Sequence, residues 1–557
     1  LPSFGPKAAA VIVGLLDFKL GKLGDAFLST SVHNLLTTLT LGQKMLKLKD
    51  IPLGTTDAKN EILSDTPEEL TRFMKSFVMP PALTIEKYIS RERYYIIGLK
   101  GTGKTALLRY ISNKLAEDEQ TVSSFVLFKT DVDEDLRKDF SRAARIQVVA
   151  ENVNTFDSDD FETVWRWFIY RKIVAAVQNS LIKPFQENAS WSTFLALVNS
   201  DALTNPEKDG FMRLVPNIRK GNLEISRNPK LGIELEWDEK GRGKINFNDL
   251  VRRADQYFGL LQGDLGRLNI FFDELELNYG TTKQYQRDSR LVRDLIVSIE
   301  RINAIAKNKG YQLCLYAAVR SEVLGVVESL GKEINKPMAD FGSMILWNRP
   351  GLDAAQQPIL TIIEQRINNA RSAVGLTILN SADLWREYFP GHVTNKKSQV
   401  YILHNSWYRP RDVVRLLLSI QDQYPNETSF ILQGIEAVRK IYSSASWIEI
   451  TEELKAKYKP LEIMGIKYLL YGYKQISSLN EFTTRSENVG RDHMETSQLL
   501  ARVPLKEILK DLFRIGAIGN IDRKNNMRFS FRGDDEILFD QNIFVHNALK
   551  AHLSIFH

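Results

Sequence analysis

Cysteine is almost absent from this chain: Cys314 is the single one in 557 residues, which excludes an intrachain disulfide and any cysteine-cluster metal site. Such usage fits a reducing compartment, and the expectation is a cytoplasmic protein. Histidine is scarce as well. His33, His392, His404, His493, His546, His552 and His557 are scattered, and no HExxH, Ser-His-Asp order or His-rich cluster marks a zinc site or a hydrolase triad. Apolar runs long enough to span a membrane, about 18 residues or more, are missing, so no membrane partner is expected. The nearest approach, Ala8 to Leu16, is followed at once by Asp17 and Lys19 without a clear small-residue cleavage site, and reads as a buried helix. A strong charge excess is lacking too. With 74 basic and 68 acidic residues the net charge is +6, too small to imply a general nucleic-acid coat, though it leaves room for a local basic patch.

What is present is a chain of 43% hydrophobic and 25% charged residues, the composition of a soluble globular protein, and long enough for several cores. Its most informative stretch is Tyr94 to Tyr110, YYIIGLKGTGKTALLRY. A short apolar run leads into Gly98-Leu99-Lys100-Gly101-Thr102-Gly103-Lys104-Thr105 and then a helical pattern from Ala106. This is GxxxxGK[ST] between a strand and a helix, the phosphate-binding P-loop. A polyphosphate must be wrapped by backbone N–H groups, and residues without Cβ let the chain come close enough. Gly98, Gly101, Thr102, Gly103, Lys104, Thr105 and Ala106 are therefore the expected nucleotide-binding residues, with ATP and Mg²⁺ as cofactors. Lys104 is expected to reach the β- and γ-phosphates, and Thr105 to ligate the metal.

The second signal is Leu268-Asn269-Ile270-Phe271-Phe272-Asp273-Glu274, an apolar strand ending in two acids. In a P-loop ATPase the first acid holds Mg²⁺ and the second polarises the attacking water, so Asp273 is assigned to the metal and Glu274 to the water, with Glu276 as its rival. A third buried strand, Gln312 to Val319, closes at Arg320, read either as a γ-phosphate sensor or as half of an ion pair with Glu322. Between them a helix from Tyr285 to Ala306 carries Arg287, Arg290 and Arg293 on one side. Two readings stand: a solvent face salted by Asp288, Asp294 and Glu300, or an arginine offered to a neighbouring subunit.

Elsewhere, residues 1–50 read as amphipathic helix, and Asp65-Thr66-Pro67-Glu68-Glu69 as a helix start. Residues 185–250 turn polar and Pro-containing, with period-two runs at Asn222–Ile225 and Gly232–Trp237, and read as an inserted β-hairpin or small β-subdomain that is a lid or a partner-recognition element. Arg409-Pro410-Arg411-Asp412 opens a helix beyond the core. Near the end, a helix at Pro504–Phe513 is followed by a strand-turn-strand pattern over 517–531. That hairpin carries Arg523, Lys524, Arg528 and Arg532, and suits either DNA or protein contact.

Taken in order, Gly98–Thr105, Asp273-Glu274, Arg320, the run at 409–412 and the wing-like tail resemble AAA-type and STAND-type P-loop ATPases, broad relatives of origin-recognition ATPases, across roughly residues 50–555. More narrowly the chain is similar to a bacterial FunZ-like group, on Gly54 to Glu61 and Arg409 to Arg415. The resemblance implies an α/β fold, a P-loop NTPase (AAA/STAND-like) parallel sheet with a helical lid and a C-terminal winged-helix-like domain. The implied division is 1–60 N-terminal helical segment, 61–350 ATPase core, 351–430 lid and 431–557 winged-helix-like domain. It also implies that Arg411 touches bound phosphate as a lid arginine. The expected catalytic set is Lys104, Glu274, Arg320 and Arg411, in a Mg²⁺-ATPase working as a switch or assembly motor, with a link to phage defence. Expected partners are further copies of the chain, a protein effector, and DNA through the tail. An ATP-gated initiator or loader, or a nucleotide-stabilised scaffold, are the alternatives.

Overall fold

A computed structural model describes residues 46–55, 66–141, 161–200, 222–226, 242–275, 277, 282–328, 330, 334–455 and 457–556. The readings at residues 1–45, at Gly232–Trp237 and at Glu276 lie outside these residues.

The core is a parallel sheet of β1 (Tyr95–Gly98), β2 (Thr121–Leu127), β5 (Arg267–Leu275), β6 (Leu313–Arg320) and β7 (Gly342–Met344), in the order β2-β5-β6-β1-β7. β3 (Asn222–Ser226) and β4 (Arg242–Asn246) pair only with each other, antiparallel. Strands β1, β5 and β6 are apolar almost throughout because helices cover both sheet faces, as parallel sheets require. From β1 the chain leaves toward β2 on one side, and from β6 it crosses to β7 on the other. This reversal opens a crevice at the carboxyl end of β1.

Helix α1 (Pro67–Ser76) starts as its sequence suggests: the Thr66 side chain accepts from the Glu69 N–H with Pro67 in the first turn. Such a cap contributes about 1 kcal/mol. Around the sheet stand α2 (Lys104–Leu115), α3 (Glu162–Gln178), α4 (Phe247–Phe258) and α5 (Thr282–Lys309). A helical layer follows with α6 (Leu360–Ala373) and α7 (Pro410–Gln423), then α8 (Arg439–Leu454). Residues 46–55 pack on this layer, the Leu48 N–H donating to the Glu427 carbonyl at 2.7 Å. The chain ends in three helices, Leu479–Asp492, Met494–Arg502 and α9 (Leu505–Arg514), against an antiparallel sheet. Its strands β10 (Ile476–Ser477), β11 (Ile518–Ile521), β12 (Met527–Arg528) and β13 (Asn542–Val545) run in the order β10-β13-β11-β12.

Two expectations need correction. The span 185–250 is not β-structure throughout: the antiparallel pair β3–β4 lies inside it, but both of its ends are helical core. Trp191, Phe194 and Leu197 on helix Ala189–Val198 and Phe247, Leu250 and Phe258 on α4 are buried, packed with Tyr170 and Tyr311. Among the described residues only the β3–β4 ribbon is extended there. Nor is the acidic side of α5 a solvent face. Asp288 and Asp294 are fully buried, Asp288 against Arg137 and Arg287, and Asp294 against Arg293 and the Phe161 N–H at 2.8 Å. Arg287 forks onto Glu134 at 2.8 and 2.9 Å, so Arg287 and Arg293 are spent inside the chain rather than offered to another subunit. Breaking a buried pair of this kind typically costs about 3–5 kcal/mol.

Candidate functional site

The loop from Gly98 to Lys104 closes on itself and opens directly into α2. Gly101 and Gly103 have φ of +82° and +96°, a region where a side chain is strained. A Cβ on Gly101 would also come within 3.2 Å of Arg411 Cβ. Thr102 Oγ1 donates to the Leu99 carbonyl at 2.8 Å, and the indole of Trp347 donates to the Thr102 carbonyl at 2.9 Å, pinning the loop to the segment after β7. Lys104 folds back so that Nζ donates to the carbonyls of Gly98 and Leu99, both at 2.9 Å. Burial lowers its pKa to about 8 against the pull of Glu322, with Arg320 and Arg411 adding to the fall. A buried ammonium bonded only to neutral carbonyls is poised for an anion.

Opposite the loop, β5 ends at a bulge between Phe272 and Leu275, where its register to β6 shifts. Bulges of this kind re-aim side chains beside sites. Glu274 sits there with φ +57°, and its N–H donates to Asp273 Oδ1 at 2.8 Å. Burial pushes the Asp273 carboxyl above its ordinary value, while the Thr105 hydroxyl, the Glu274 N–H and Lys104 oppose that rise. Thr105 and Asp273 thus face each other closely enough to interact, one oxygen from each flank of the cleft. Arg320 ends β6 in register with Gly98, on the strand between the acids and the loop.

Gly101, Gly103, Lys104, Thr105, Asp273, Glu274, Arg320 and Trp347 line one cleft of about 1180 Å³, open solvent included, together with Lys100, Ala106 and Arg411, whereas the expected binding residues Gly98 and Thr102 are not among its lining. Its far end is apolar, formed by Phe73, Phe77, Pro80, Ile362 and Val414 from α1, the following loop, α6 and α7. The cleft lies between sheet, α1 and the helical layer, and Gln365 and Asn369 of α6 fasten that layer to α1 by donating to the Lys75 carbonyl.

Sequence reasoning missed the carboxylates behind the loop. The Arg411 N–H reaches the Gly101 carbonyl at 3.3 Å, so α7 begins against the glycine loop. Glu449 of α8 then holds Lys100 at 2.9 Å and lies 3.8 Å from both Arg411 and Arg415. Burial alone would raise its pKa, but Lys100, Arg411 and Arg415 outweigh burial and hold it below the ordinary value. Glu453, one turn on, is 3.6 Å from Arg409, and burial holds its carboxyl well above the usual range. Before α7, Trp407 and Tyr408 both have positive φ, +47° and +51°. They are held by the C-terminal unit: the Trp407 indole donates to the Gly516 carbonyl at 2.7 Å and stacks on His546, and Arg532 lies 4.9 Å over the Tyr408 ring. Two adjacent hydrophobic residues before an Arg-Pro gave no sequence signal of this conformation.

The four basic residues of the hairpin divide. Arg528 pairs with Asp534 at 2.9 Å and Arg532 with Tyr408, whereas Arg523 and Lys524 are exposed at the turn. Among the described residues no helix is long and apolar enough to cross a membrane.

No curated protein matches this chain. A solved structure described as Drosophila ORC bound to DNA is similar at 10% identity, covering 88% of this chain and 93% of that one, with a TM-score of 0.26. Residues 357–450, which run from the start of α6 into α8 and include Arg409, Arg411 and Glu449, match the family described as the FunZ-associated C-terminal helical domain.

Proposed function

We propose that this chain is a magnesium-dependent ATPase whose nucleotide state is passed to its helical layer and C-terminal unit, so that it works as a switch or assembly motor. The observation that carries the reading is the convergence of Lys104, Thr105, Asp273, Glu274, Arg320 and Arg411 on one cleft. The residues fit a magnesium-bound polyphosphate: the glycine loop leaves room for phosphate, and Thr105 and Asp273 offer oxygen donors to a hard cation. Bound Mg²⁺ would supply charge neutralisation at the β- and γ-phosphates.

The chain's own groups would do the rest. Lys104 would exchange its two carbonyl partners for phosphate oxygens, Arg320 would read the terminal phosphate, and Glu274 would orient a water. The apolar end would receive the base. Glu449 lies 2.9 Å from Lys100 and 3.8 Å from Arg411, so phosphates that draw on either cation would compete with α8 for it. A ligand shifts a conformational equilibrium only through such a difference in contacts. Trp407 and Tyr408 would pass the shift to the C-terminal unit, whose three helices and hairpin support the winged-helix-like reading.

Phosphate release from Mg²⁺-ATP by the purified chain tests the activity, and no release with no nucleotide uptake by calorimetry would overturn it. The coupling has its own check. Glu449→Gln weakens the hold on Lys100 and Arg411 and should tighten ATP binding about tenfold, the equivalent of about 1.4 kcal/mol; unchanged or weaker binding would remove Glu449 from the switch.

The family match at 357–450 supports placing this ATPase with FunZ-like proteins, and through them in anti-phage defence. ATP-gated DNA contact is the second reading, favoured by the exposed Arg523 and Lys524 on the hairpin. Reversing both to Glu should weaken duplex binding and flatten its salt dependence by about two counterions; a slope left as it was would exclude the hairpin as the DNA surface.

A further inference from the structure

A small cavity of about 270 Å³, open solvent included, lies between the glycine loop, the start of α7 and α8. Lys100 and Arg411 line both this cavity and the large cleft, so the two share a wall. Glu453 of α8 lines only the small one. Its carboxylate lies 3.6 Å from Arg409, and the two side chains are 10% and 8% exposed. Arg409 in turn backs the loop: a Cβ on Gly101 would meet its Cδ at 3.7 Å. A single glycine therefore separates this buried ion pair from the cleft.

Ionised, Glu453 is a buried charge in a mixed field. Arg409 before α7, Lys100 in the loop and Arg320 at the end of β6 draw the proton off it, whereas burial and Glu322, on the helix Ser321–Glu328, hold the proton on. The balance leaves its carboxyl at about 7. Arg411, Asp412 and Arg415 of α7 and Glu449 of α8 line the same cavity. Glu449 differs in kind, because Lys100, Arg411 and Arg415 hold it below the ordinary carboxylate value and so keep it ionised across the neutral range. Two of the cations that act on Glu453, Lys100 and Arg320, also line the cleft. Phosphates arriving there would engage both and bring negative charge of their own, and each effect favours the neutral acid.

We propose that Glu453 is a proton-linked positioning residue: ionised, it draws Arg409 and the loop toward α8, and nucleotide binding places a proton on its carboxylate, which relaxes that hold. This role presupposes that the cleft binds nucleotide. By linkage, a group that holds its proton more tightly in the complex makes affinity highest below its free-state value, and the gain is lost as pH rises through its value in the complex. The cleft should therefore bind nucleotide more tightly on the acid side of neutrality.

Calorimetry on the full chain with the β,γ-imido analogue of ATP and Mg²⁺, from about pH 6 to about pH 9, tests the proposal without turnover. For a shift of about one pKa unit on binding, the parent should lose about tenfold more affinity over that range than Glu453→Gln. Near pH ~7.5, titrations in buffers of different ionisation enthalpy should show the parent taking up about half a proton more per analogue than the variant. Lys104 and the analogue's own phosphates titrate in both proteins, so the difference belongs to Glu453. Glu449→Gln should keep the parent's pH dependence. Should Glu453→Gln fail to fold, Arg409→Gln, which removes the paired cation, must raise the pH at which the parent's affinity falls. Equal pH profiles and proton counts in parent and Glu453→Gln overturn the proposal, as does loss of the pH dependence in Glu449→Gln in its place. An analogue that binds at no pH removes the nucleotide reading as well, whereas one that binds both proteins with the same profile removes this inference alone.

Discussion

Lys104→Ala is expected to abolish measurable ATP turnover, lowering it by about 10²–10³ or more, the size of effect seen when one preorganised charge-stabilising donor is removed. The same substitution should weaken nucleotide binding, because the fold places Nζ inside the loop, bonded to the Gly98 and Leu99 carbonyls. Stability should move the other way. Deleting an ammonium whose pKa burial has lowered to about 8 relieves a desolvation cost, so the empty variant should melt no lower than the parent. The sign of the pH term follows. A lysine with a folded pKa below its unfolded value destabilises the fold while the unfolded chain holds its proton, most of all below about pH 8. The difference between parent and variant should therefore shrink as pH rises from about 8 toward 10. Phosphate release and pH-dependent melting together separate a functional lysine from a structural one: a variant that loses turnover by unfolding would melt early. If the chain acts in phage defence, cells carrying the variant should also lose protection in a plaque assay. Turnover that survives Lys104→Ala would remove the loop from the mechanism.

The parts of this molecule that could be read from its sequence are those set by local rules. A GxxxxGK[ST] run between strand and helix needs only its own glycines to fold, and the strands ending at Asp273 and Arg320 announce themselves by short apolar runs. The helix starts at Thr66 and Pro410 follow from capping chemistry. What stayed hidden depends on docking. Glu449 is more than three hundred residues from Lys100, and nothing around it separates it from Glu452, which pairs with Lys455 at the surface. The buried Asp288 and Asp294 were misread for a physical reason: helical spacing of charges looks the same on a solvent face and in a core where arginines arrive from Arg137 and from the helix itself. The ends of the 185–250 span misled because the aromatics that bury them are spread over helices Ala189–Val198, α3 and α4. The strain at Trp407 and Tyr408 arises from their hold on Gly516 and Arg532, over a hundred residues away.

Glu274→Gln should stop hydrolysis while leaving ATP bound. The side chain projects from a bulged strand end, on a backbone with φ +57°, a conformation that costs a residue with Cβ about 1–3 kcal/mol and persists where surrounding structure imposes it. The Asp273 carboxylate accepts the Glu274 N–H and helps hold that geometry, so Asp273 also orients Glu274. Gln keeps the size and the backbone but cannot take up a proton or carry the charge that orients the nucleophile. Turnover should fall by about 100-fold or more, in line with loss of a general base. ATP affinity measured by calorimetry should change less than about threefold, because the interaction lost is made in the transition state rather than with bound substrate. The variant would then stay in its ATP-bound arrangement, and if Glu449 is the latch, protease cleavage between α8 and the C-terminal unit should differ from that of the nucleotide-free parent. A variant that turns over at the parent's rate would overturn the assignment. Loss of turnover in Glu276→Gln in its place would pass the role to that neighbouring acid.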